Sequence, residues 1–278
     1  MITIRVAHSP DSDDAFMFYA LAAGKLDTGD IRYEHELADI ETLNRRALAG
    51  ELDVSAVSIH AYAYLADRYA LLASGASMGD GYGPRLVARR PPPADPRGGI
   101  AGRRVAVPGL RTSAYLALKL YQPSIEPLVV PFDRIGEAVT AGEVEAGLLI
   151  HEGQLTYASD GFHLWQDLGA WWKGETGLPL PLGGNVVRRD LGPELIGQVA
   201  RDLRASIEYG LAHRAPALAH AGRFSRGLSD RSTDEFVGMY VNEWTVDYGP
   251  RGREAVRLFL DRGTAAGIVP PVEVEFVG

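Results

Sequence analysis

The 278-residue chain contains no cysteine. A disulfide scaffold, a thiolate nucleophile, an iron–sulfur cluster and a cysteine-based zinc site are therefore excluded. No apolar stretch approaches the roughly 18 residues that a membrane-spanning helix requires. Residues 1–10 begin at once with strand-like alternation and lack the basic and apolar segments of a secretory signal. We therefore expect a cytoplasmic protein.

Clusters of positive charge are also lacking. The 28 basic and 36 acidic residues give a formal net charge of −8, and the two signs are interspersed along the chain. Such a chain repels duplex DNA and anionic lipid surfaces on average. We expect neither nucleic acid nor a membrane as a partner, and the charge pattern leaves the oligomeric state open.

Motifs that bind common cofactors are missing as well. No glycine-rich dinucleotide fingerprint follows a strand, and the chain has no Walker A, HExxH or GxSxG sequence. The seven histidines are scattered without the spacing of metal ligands. We expect a site that uses no metal and no cofactor.

What the chain does contain is a repeated strand–turn–helix pattern. The first unit has a β-branched strand at 2–8, a turn at 9–12 and helical spacing over 13–26. The second has a strand at 103–107 and a helix at 112–121. The two units suggest an α/β protein with two similar halves.

Each unit continues with a helix that stops at glycine and a buried strand that follows. The segments Ala49-Gly-Glu-Leu-Asp53 and Ala141-Gly-Glu-Val-Glu145 occupy equivalent places in the two units. We interpret them as architectural repetition, in which a glycine ends the helix before the chain enters the sheet.

The remaining pattern predicts how the halves connect. A proline-rich loop lies at 91–96, and extended segments at 85–89 and 182–188 can cross between lobes. The last third is mostly helical, at about 191–214, 230–244 and 250–266. We predict a bilobed α/β fold of the type II periplasmic-binding class, with two hinge strands and a ligand between the lobes. Its first lobe comprises 1–86 and 187–278, and its second comprises 89–183.

His151 is the best-placed candidate for acid–base chemistry. It follows the apolar segment 147–150, so its imidazole should point toward the cleft at the carboxyl end of a strand. A base or a ligand contact is favoured over a purely structural role. His8 is the nearest rival, and His60 should lie within a helix, either packed or solvated.

Thr112 and Ser113 open a helix directly after a Pro-Gly turn. Their hydroxyls and the free N–H groups of the helix could receive a carboxylate or a phosphate. An ordinary N-cap without a ligand explains the same pattern equally well. Ser55 and Ser58 carry the same ambiguity, and Ser9, Asp14 and Asn185 are further candidates at the predicted cleft.

The run Trp171-Trp172, followed by the proline-rich segment 177–183, has two interpretations. It could line an apolar slot that stacks an aromatic ligand. It could instead be a stiff loop that covers a core, and composition favours this second interpretation.

Several motifs together resemble one enzyme family, the 1,4-dihydroxy-6-naphthoate synthases of the futalosine route to menaquinone. The motifs that carry this resemblance extend over nearly the whole chain: His8-Ser-Pro-Asp-Ser-Asp-Asp-Ala-Phe16, Glu41-Thr-Leu-Asn-Arg45, Gly81-Tyr-Gly-Pro84, Val107-Pro-Gly109, Thr112-Ser-Ala-Tyr115, Ile150-His-Glu152, Asp167-Leu-Gly-Ala-Trp-Trp172 and Thr176-Gly-Leu-Pro-Leu-Pro-Leu-Gly183.

The resemblance implies a cytosolic lyase on the periplasmic-binding fold that needs neither a metal nor a redox cofactor. The family converts cyclic dehypoxanthine futalosine to 1,4-dihydroxy-6-naphthoate, so the implied partner is a small aromatic carboxylate. The family's proton acceptor falls on His151. Its substrate contacts fall on Ala56, Val57, Ser58, Thr112 and Ser113.

The chain also departs from the family's pattern. Many members have S-P-C-P-N-D-T-F at the first turn, whereas Asp13 and Ala15 stand here in place of Asn and Thr, and a basic residue is absent at Ala56. These departures add negative charge beside the predicted cleft, and either of them could alter which substrate the protein prefers. Two other functions stay open on this evidence: a non-catalytic binding protein for a small anion, and the related chorismate dehydratase.

Overall fold

A computed structural model describes residues 1–278, and its strands form two separate sheets. The first sheet contains seven strands: β1 (Ile2–His8), β2 (Ile31–Leu37), β3 (Val54–Ser58), β4 (Tyr69–Leu72), β5 (Ser77–Gly79), β11 (Leu180–Arg188) and β12 (Phe276–Val277). The second contains five: β6 (Arg85–Ala88), β7 (Arg104–Val107), β8 (Glu126–Val129), β9 (Ala146–Leu149) and β10 (His163–Asp167).

Helices cover both sheets, and the longest belong to the last third of the chain. The α-helices are α1 (Ser12–Met17), α2 (Tyr19–Ala22), α3 (Ile40–Ala49), α4 (Ile59–Tyr62), α5 (Pro96–Gly99), α6 (Ser113–Tyr121), α7 (Ile135–Thr140), α8 (Gly153–Thr156), α9 (Leu168–Thr176), α10 (Pro193–Ala212), α11 (Arg214–Ala221), α12 (Asp230–Tyr240), α13 (Glu243–Val246) and α14 (Gly249–Ala265). None of them combines the length and the apolar character needed to span a bilayer.

The two sheets repeat one arrangement. Strand β1 runs parallel to β2 and β3, and β7 runs parallel to β8 and β9 in the same way. On its other side, β3 pairs antiparallel with β11, and β9 pairs antiparallel with β6. Gly50 follows α3 and Gly142 follows α7, with φ of 76° and 73°. Glycine adopts this left-handed conformation without strain. The repeated sequence segments thus occupy equivalent places in the structure.

Strands β6 and β11 connect the two halves. The chain leaves the first sheet after β5 and enters the second at β6, and it returns along β11 after α9. The structure is therefore a bilobed α/β fold with a cleft between the sheets, as expected. The lobe bounds of 1–86 with 187–278 and of 89–183 stay a prediction.

The hydrophobic core continues from one half to the other. Its largest cluster of buried residues joins Val57 and Val186 of the first sheet to Leu86 and Val105 of the second. A second cluster packs the opposite face of the first sheet against α1 and the long C-terminal helices. The two sheets are consequently held at a fixed relation around the cleft.

Some local predictions were wrong. The helix expected over 13–26 is two short helices that end at Ala22, because Phe18 leaves helical geometry and Gly24 adopts φ of 59°. Trp171 and Trp172 lie in α9, not in a loop. Trp172 is fully buried against Phe259, as the core interpretation requires, although a helix and not an extended segment provides the cover.

Three buried histidines make stability depend on pH. Burial lowers the pKa of His8, His35 and His60 from 6.5 to about 4 in each case, and the adjacent His35 lowers that of His8 further. The His8 and His35 rings lie 3.2 Å apart between Nε2 and Nδ1. Between pH 4 and 6.5 these three histidines therefore bind more protons in the unfolded chain than in the folded one, so their contribution to stability rises with pH across this window.

We expect the free energy of unfolding to fall by about 1.4 kcal/mol per pH unit for each histidine as pH drops from 6.5 toward 4. Urea unfolding at several pH values measures this slope. His35→Gln should flatten it, and the same change at the exposed His163 should not. An unchanged slope in His35→Gln would show that the acid sensitivity has another source.

Candidate functional site

A cavity of about 110 Å³ lies between the two sheets. Its walls come from the ends of β1, β3 and β9, from the start of α6, from the middle of β11 and from α12. All nine residues that the sequence singled out line it: Ser9, Asp14, Ala56, Val57, Ser58, Thr112, Ser113, His151 and Asn185. The ends of parallel strands thus bring these distant segments to one place.

His151 lies in this cavity directly after β9. Its backbone has φ of 52°, a left-handed conformation that is uncommon for a residue with a side chain. The imidazole is 16% exposed, and its Nδ1 lies 3.1 Å from Oδ2 of Asp11. Its Nε2 is buried and has no hydrogen-bond partner in the protein. One ring nitrogen is therefore held, and the other is free for a ligand.

Asp11 reaches His151 from the opposite sheet, from the turn between β1 and α1. Its other oxygen caps α1 by accepting from the Asp14 N–H at 3.2 Å. Burial alone would raise the pKa of the Asp11 carboxyl. The hydrogen bond and the charge interaction with His151 outweigh burial and hold that pKa well below its usual range. Asp11 is therefore an anion in the folded protein.

Asp11, Asp13 and Asp14 form a buried acidic cluster whose carboxylate oxygens lie within 4.8 Å of one another. Burial, followed by repulsion from Asp11, raises the pKa of both Asp13 and Asp14 well above the ordinary value. These two carboxyls therefore favour their neutral forms. The acid at position 13 adds less negative charge to the cleft than the sequence alone suggests. Carboxylate oxygens so close together are also suitable ligands for a hard cation.

The start of α6 presents N–H groups to the cavity, while its hydroxyls are occupied. Thr112 caps the helix: its hydroxyl donates to the Gly109 carbonyl and accepts from the Tyr115 N–H. The Ser113 hydroxyl donates to the Leu182 carbonyl at 2.5 Å and accepts from the His60 N–H. The N–H groups of Ser113 and Ala114 have no acceptor within the protein. The N-cap at Thr112 is thus confirmed, and the role of this turn as an anion receptor stays a prediction.

The end of β3 forms a further part of the wall. The Asn44 side chain fixes Ser58, because its amide donates to the Ser58 hydroxyl at 3.1 Å and its oxygen accepts from the Ser58 N–H at 2.9 Å. Ala56 and Val57 precede it in the same wall. Ser55 is turned away, and its hydroxyl donates to the Ala56 carbonyl. Of these two serines only Ser58 lines the cavity, and its contact with a ligand stays a prediction.

The other histidines do not line the cavity. His8 stacks on Phe18 beside His35, and His60 lies in α4, where its Nδ1 hydrogen bonds with the Thr112 carbonyl. Among the polar wall residues, Asn185 donates to the Gly75 carbonyl and keeps a buried oxygen without a partner. The Ser9 hydroxyl likewise has no partner.

Sequence reasoning missed Asp11 and the pair Gln154–Tyr240, which is joined by a 2.6 Å hydrogen bond at the cavity wall. A signal existed for Asp11, since it stands in a turn that follows the first strand. No local signal marks Tyr240, because its place in the wall depends on how α12 packs.

This fold defines a two-lobed protein of the periplasmic-binding fold class, with a cavity between its two sheets. An alkanesulfonate-binding protein from Xanthomonas axonopodis pv. citri has the same fold at 14% identity, with a TM-score of 0.68 over 98% of this chain and 95% of its own. A family model described as menaquinone biosynthesis matches residues 4–265, and the chain belongs to that family.

More similar proteins agree with this assignment. A curated protein from Thermus thermophilus, named 1,4-dihydroxy-6-naphthoate synthase, is 44% identical over 98% of this chain and 97% of its own length. A crystal structure of an Archaeoglobus fulgidus protein is 46% identical and superimposes with a TM-score of 0.91, covering 96% of this chain and 98% of that one.

Proposed function

We propose that this protein forms 1,4-dihydroxy-6-naphthoate from cyclic dehypoxanthine futalosine, as a carbon–carbon lyase of menaquinone biosynthesis. The observation that carries the proposal is the position of His151. Its imidazole lines the interlobe cavity with Nδ1 paired to a carboxylate and Nε2 unpartnered. A family of biosynthetic enzymes and a relative named for this product support the same conclusion.

In this proposal His151 removes a proton from the bound substrate. A neutral imidazole whose Nδ1–H donates to Asp11 has its basic lone pair on Nε2, which is the atom without a partner. Imidazole accepts protons well near neutral pH. The resulting anion then breaks the carbon framework by elimination or retro-aldol steps, and formation of an aromatic ring drives them forward. These steps are redox-neutral.

The carboxylate of the substrate would bind at the start of α6. The N–H groups of Ser113 and Ala114 are free there, and the helix dipole favours an anion at this end. Ala56, Val57 and Ser58 would contact the same ligand from the first sheet, with Asn185 alongside. Walls from both sheets would exclude water from the anionic intermediate.

Incubation with cyclic dehypoxanthine futalosine, with chorismate and with no substrate tests this function, with products analysed by mass spectrometry. Dihydroxynaphthoate from the first substrate alone is the expected result. Turnover of chorismate would assign the dehydratase reaction, and binding without turnover would assign a carrier of small anions.

We also propose a cytoplasmic location.

A substitution at Ser113 separates its N–H from its hydroxyl. Proline fits the first helical position, and Thr112 before it has the extended ψ of 146° that proline requires of its predecessor. Ser113→Pro removes both groups, whereas Ser113→Ala removes the hydroxyl only. If the N–H binds the carboxylate, Ser113→Pro should raise KM about tenfold more than Ser113→Ala, since a charge-assisted hydrogen bond contributes about 1.5–3 kcal/mol. Equal KM values in the two variants would contradict the carboxylate assignment.

A further inference from the structure

The contact between Asp11 and His151 joins the two halves of the molecule. Asp11 follows β1 of the first sheet, and His151 follows β9 of the second. The Asp11 side chain is only 3% exposed, so this carboxylate has little water to solvate it. A buried carboxylate that receives an imidazole N–H fixes both the orientation of the ring and the nitrogen that carries the proton.

We infer that Asp11 is the positioning residue of the proposed base, and that it holds the imidazole from across the cleft. This inference rests on the proposed function of His151. Asp11 holds the proton on Nδ1 and so leaves Nε2 unprotonated toward the ligand.

Asp13 lies beside this pair, in the same acidic cluster. The carboxylate oxygens of Asp13 and Asp11 lie within 4.8 Å of one another, and one Asp13 oxygen is buried without a partner. Burial and repulsion from Asp11 raise the pKa of Asp13, so its carboxyl favours the neutral form. A neutral neighbour leaves the negative charge of the cluster on Asp11, the carboxylate that pairs with His151.

Other charged groups lie near the Asp11–His151 pair. Glu152 is buried next to His151 but makes no hydrogen bond to the imidazole, and burial raises the pKa of its carboxyl. Asp14 accepts from the Ser9 N–H at 2.7 Å. Arg226 donates to the Pro10 carbonyl and lies 4.3 Å over the ring of Phe132, whose edge meets His151. Among these groups only Asp11 touches an imidazole nitrogen.

The test is Asp11→Asn. Asparagine keeps the helix cap through its side-chain oxygen, but its amide donates to Nδ1 and so forces the proton onto Nε2. We expect kcat to fall about 10–100-fold with little change in KM. Glu152→Gln is the matched control, and its His151 imidazole should carry the proton on the same nitrogen as in the wild type.

Nitrogen-15 NMR of the imidazoles gives a readout that does not depend on activity. The His151 signals, identified by their loss in His151→Gln, should show a proton on Nδ1 in the wild type and in Asp13→Asn, which leaves Asp11 in place. They should show it on Nε2 in Asp11→Asn. A wild-type imidazole protonated on Nε2 overturns the inference even if Asp11→Asn does not fold.

Two results distinguish a failure of this inference about Asp11 from a failure of the proposed function of His151. A wild-type kcat and a wild-type proton position in Asp11→Asn would reject Asp11 as the positioning residue while His151 remains the base. Full activity in His151→Gln would instead reject the proposed base itself. Loss of activity on dialysis against EDTA, restored by Mg²⁺ or Mn²⁺, would show that the acidic cluster holds a cation, and it would also overturn the inference.

Discussion

Replacing His151 with glutamine should lower kcat by at least about 10²-fold, the usual contribution of a positioned general base. Glutamine fills much of the same space and can form a hydrogen bond to Asp11, but it cannot accept a proton at neutral pH. Steady-state kinetics with cyclic dehypoxanthine futalosine measure the effect. Binding of the substrate should change much less than kcat, because the free N–H groups of α6 remain in place.

Thermal unfolding of His151→Gln is the control for this loss of activity, because it shows whether the variant keeps its fold. His151 is partly exposed, and its ring contacts Phe132 in a T-shaped pair with centroids 5.1 Å apart, so thermal unfolding of the variant should stay close to that of the wild type. A variant that is equally stable and fully active would remove His151 from the mechanism. If the variant unfolds at a lower temperature than the wild type, its activity does not test the base. The position of the proton on the wild-type His151 imidazole, measured by NMR, then tests it.

The second large effect concerns stability. Trp172→Ala should lower the free energy of unfolding by about 3–5 kcal/mol, as expected for removing a fully buried tryptophan. The indole packs edge-on against Phe259 with ring centroids 5.3 Å apart, and its N–H donates to the Pro179 carbonyl at 3.1 Å. Denaturant titration measures the loss.

Trp171→Ala is the matched comparison for this change. Trp171 is only half-buried, so its loss should cost about 1 kcal/mol. Neither tryptophan lines the cavity, and both variants should keep the KM of the wild type wherever they are folded. A raised KM in Trp171→Ala would revive the alternative in which this pair stacks an aromatic ligand.

The architecture was largely accessible from the sequence because its signals are local. Alternating strands, glycine stops at Gly50 and Gly142 and two extended crossings predict the repeated units and the bilobed fold. His151 was found for the same reason, since a polar residue after a buried apolar strand of such a sheet lies at the cleft. Each of these features depends on a few neighbouring residues.

The hydrogen-bond partners within the site were not accessible in this way. The pairing of Asp11 with His151 joins positions 140 residues apart and depends on how the two sheets face each other. The Ser113 hydroxyl is likewise engaged by Leu182, from a strand far along the chain. Hydroxyls that the sequence offers to a ligand are thus used within the protein, and free N–H groups of the backbone remain.

The strand order of the first sheet also constrains how the protein is made. Strand β4 lies between β11 and β12, so the neighbours on both its edges are synthesised at least a hundred residues later. All strands of the second sheet, by contrast, have left the ribosome once residue 167 has emerged. The nascent chain therefore exposes an apolar strand with two open edges until β11 emerges, and with one open edge until β12 does, which favours aggregation of incomplete chains.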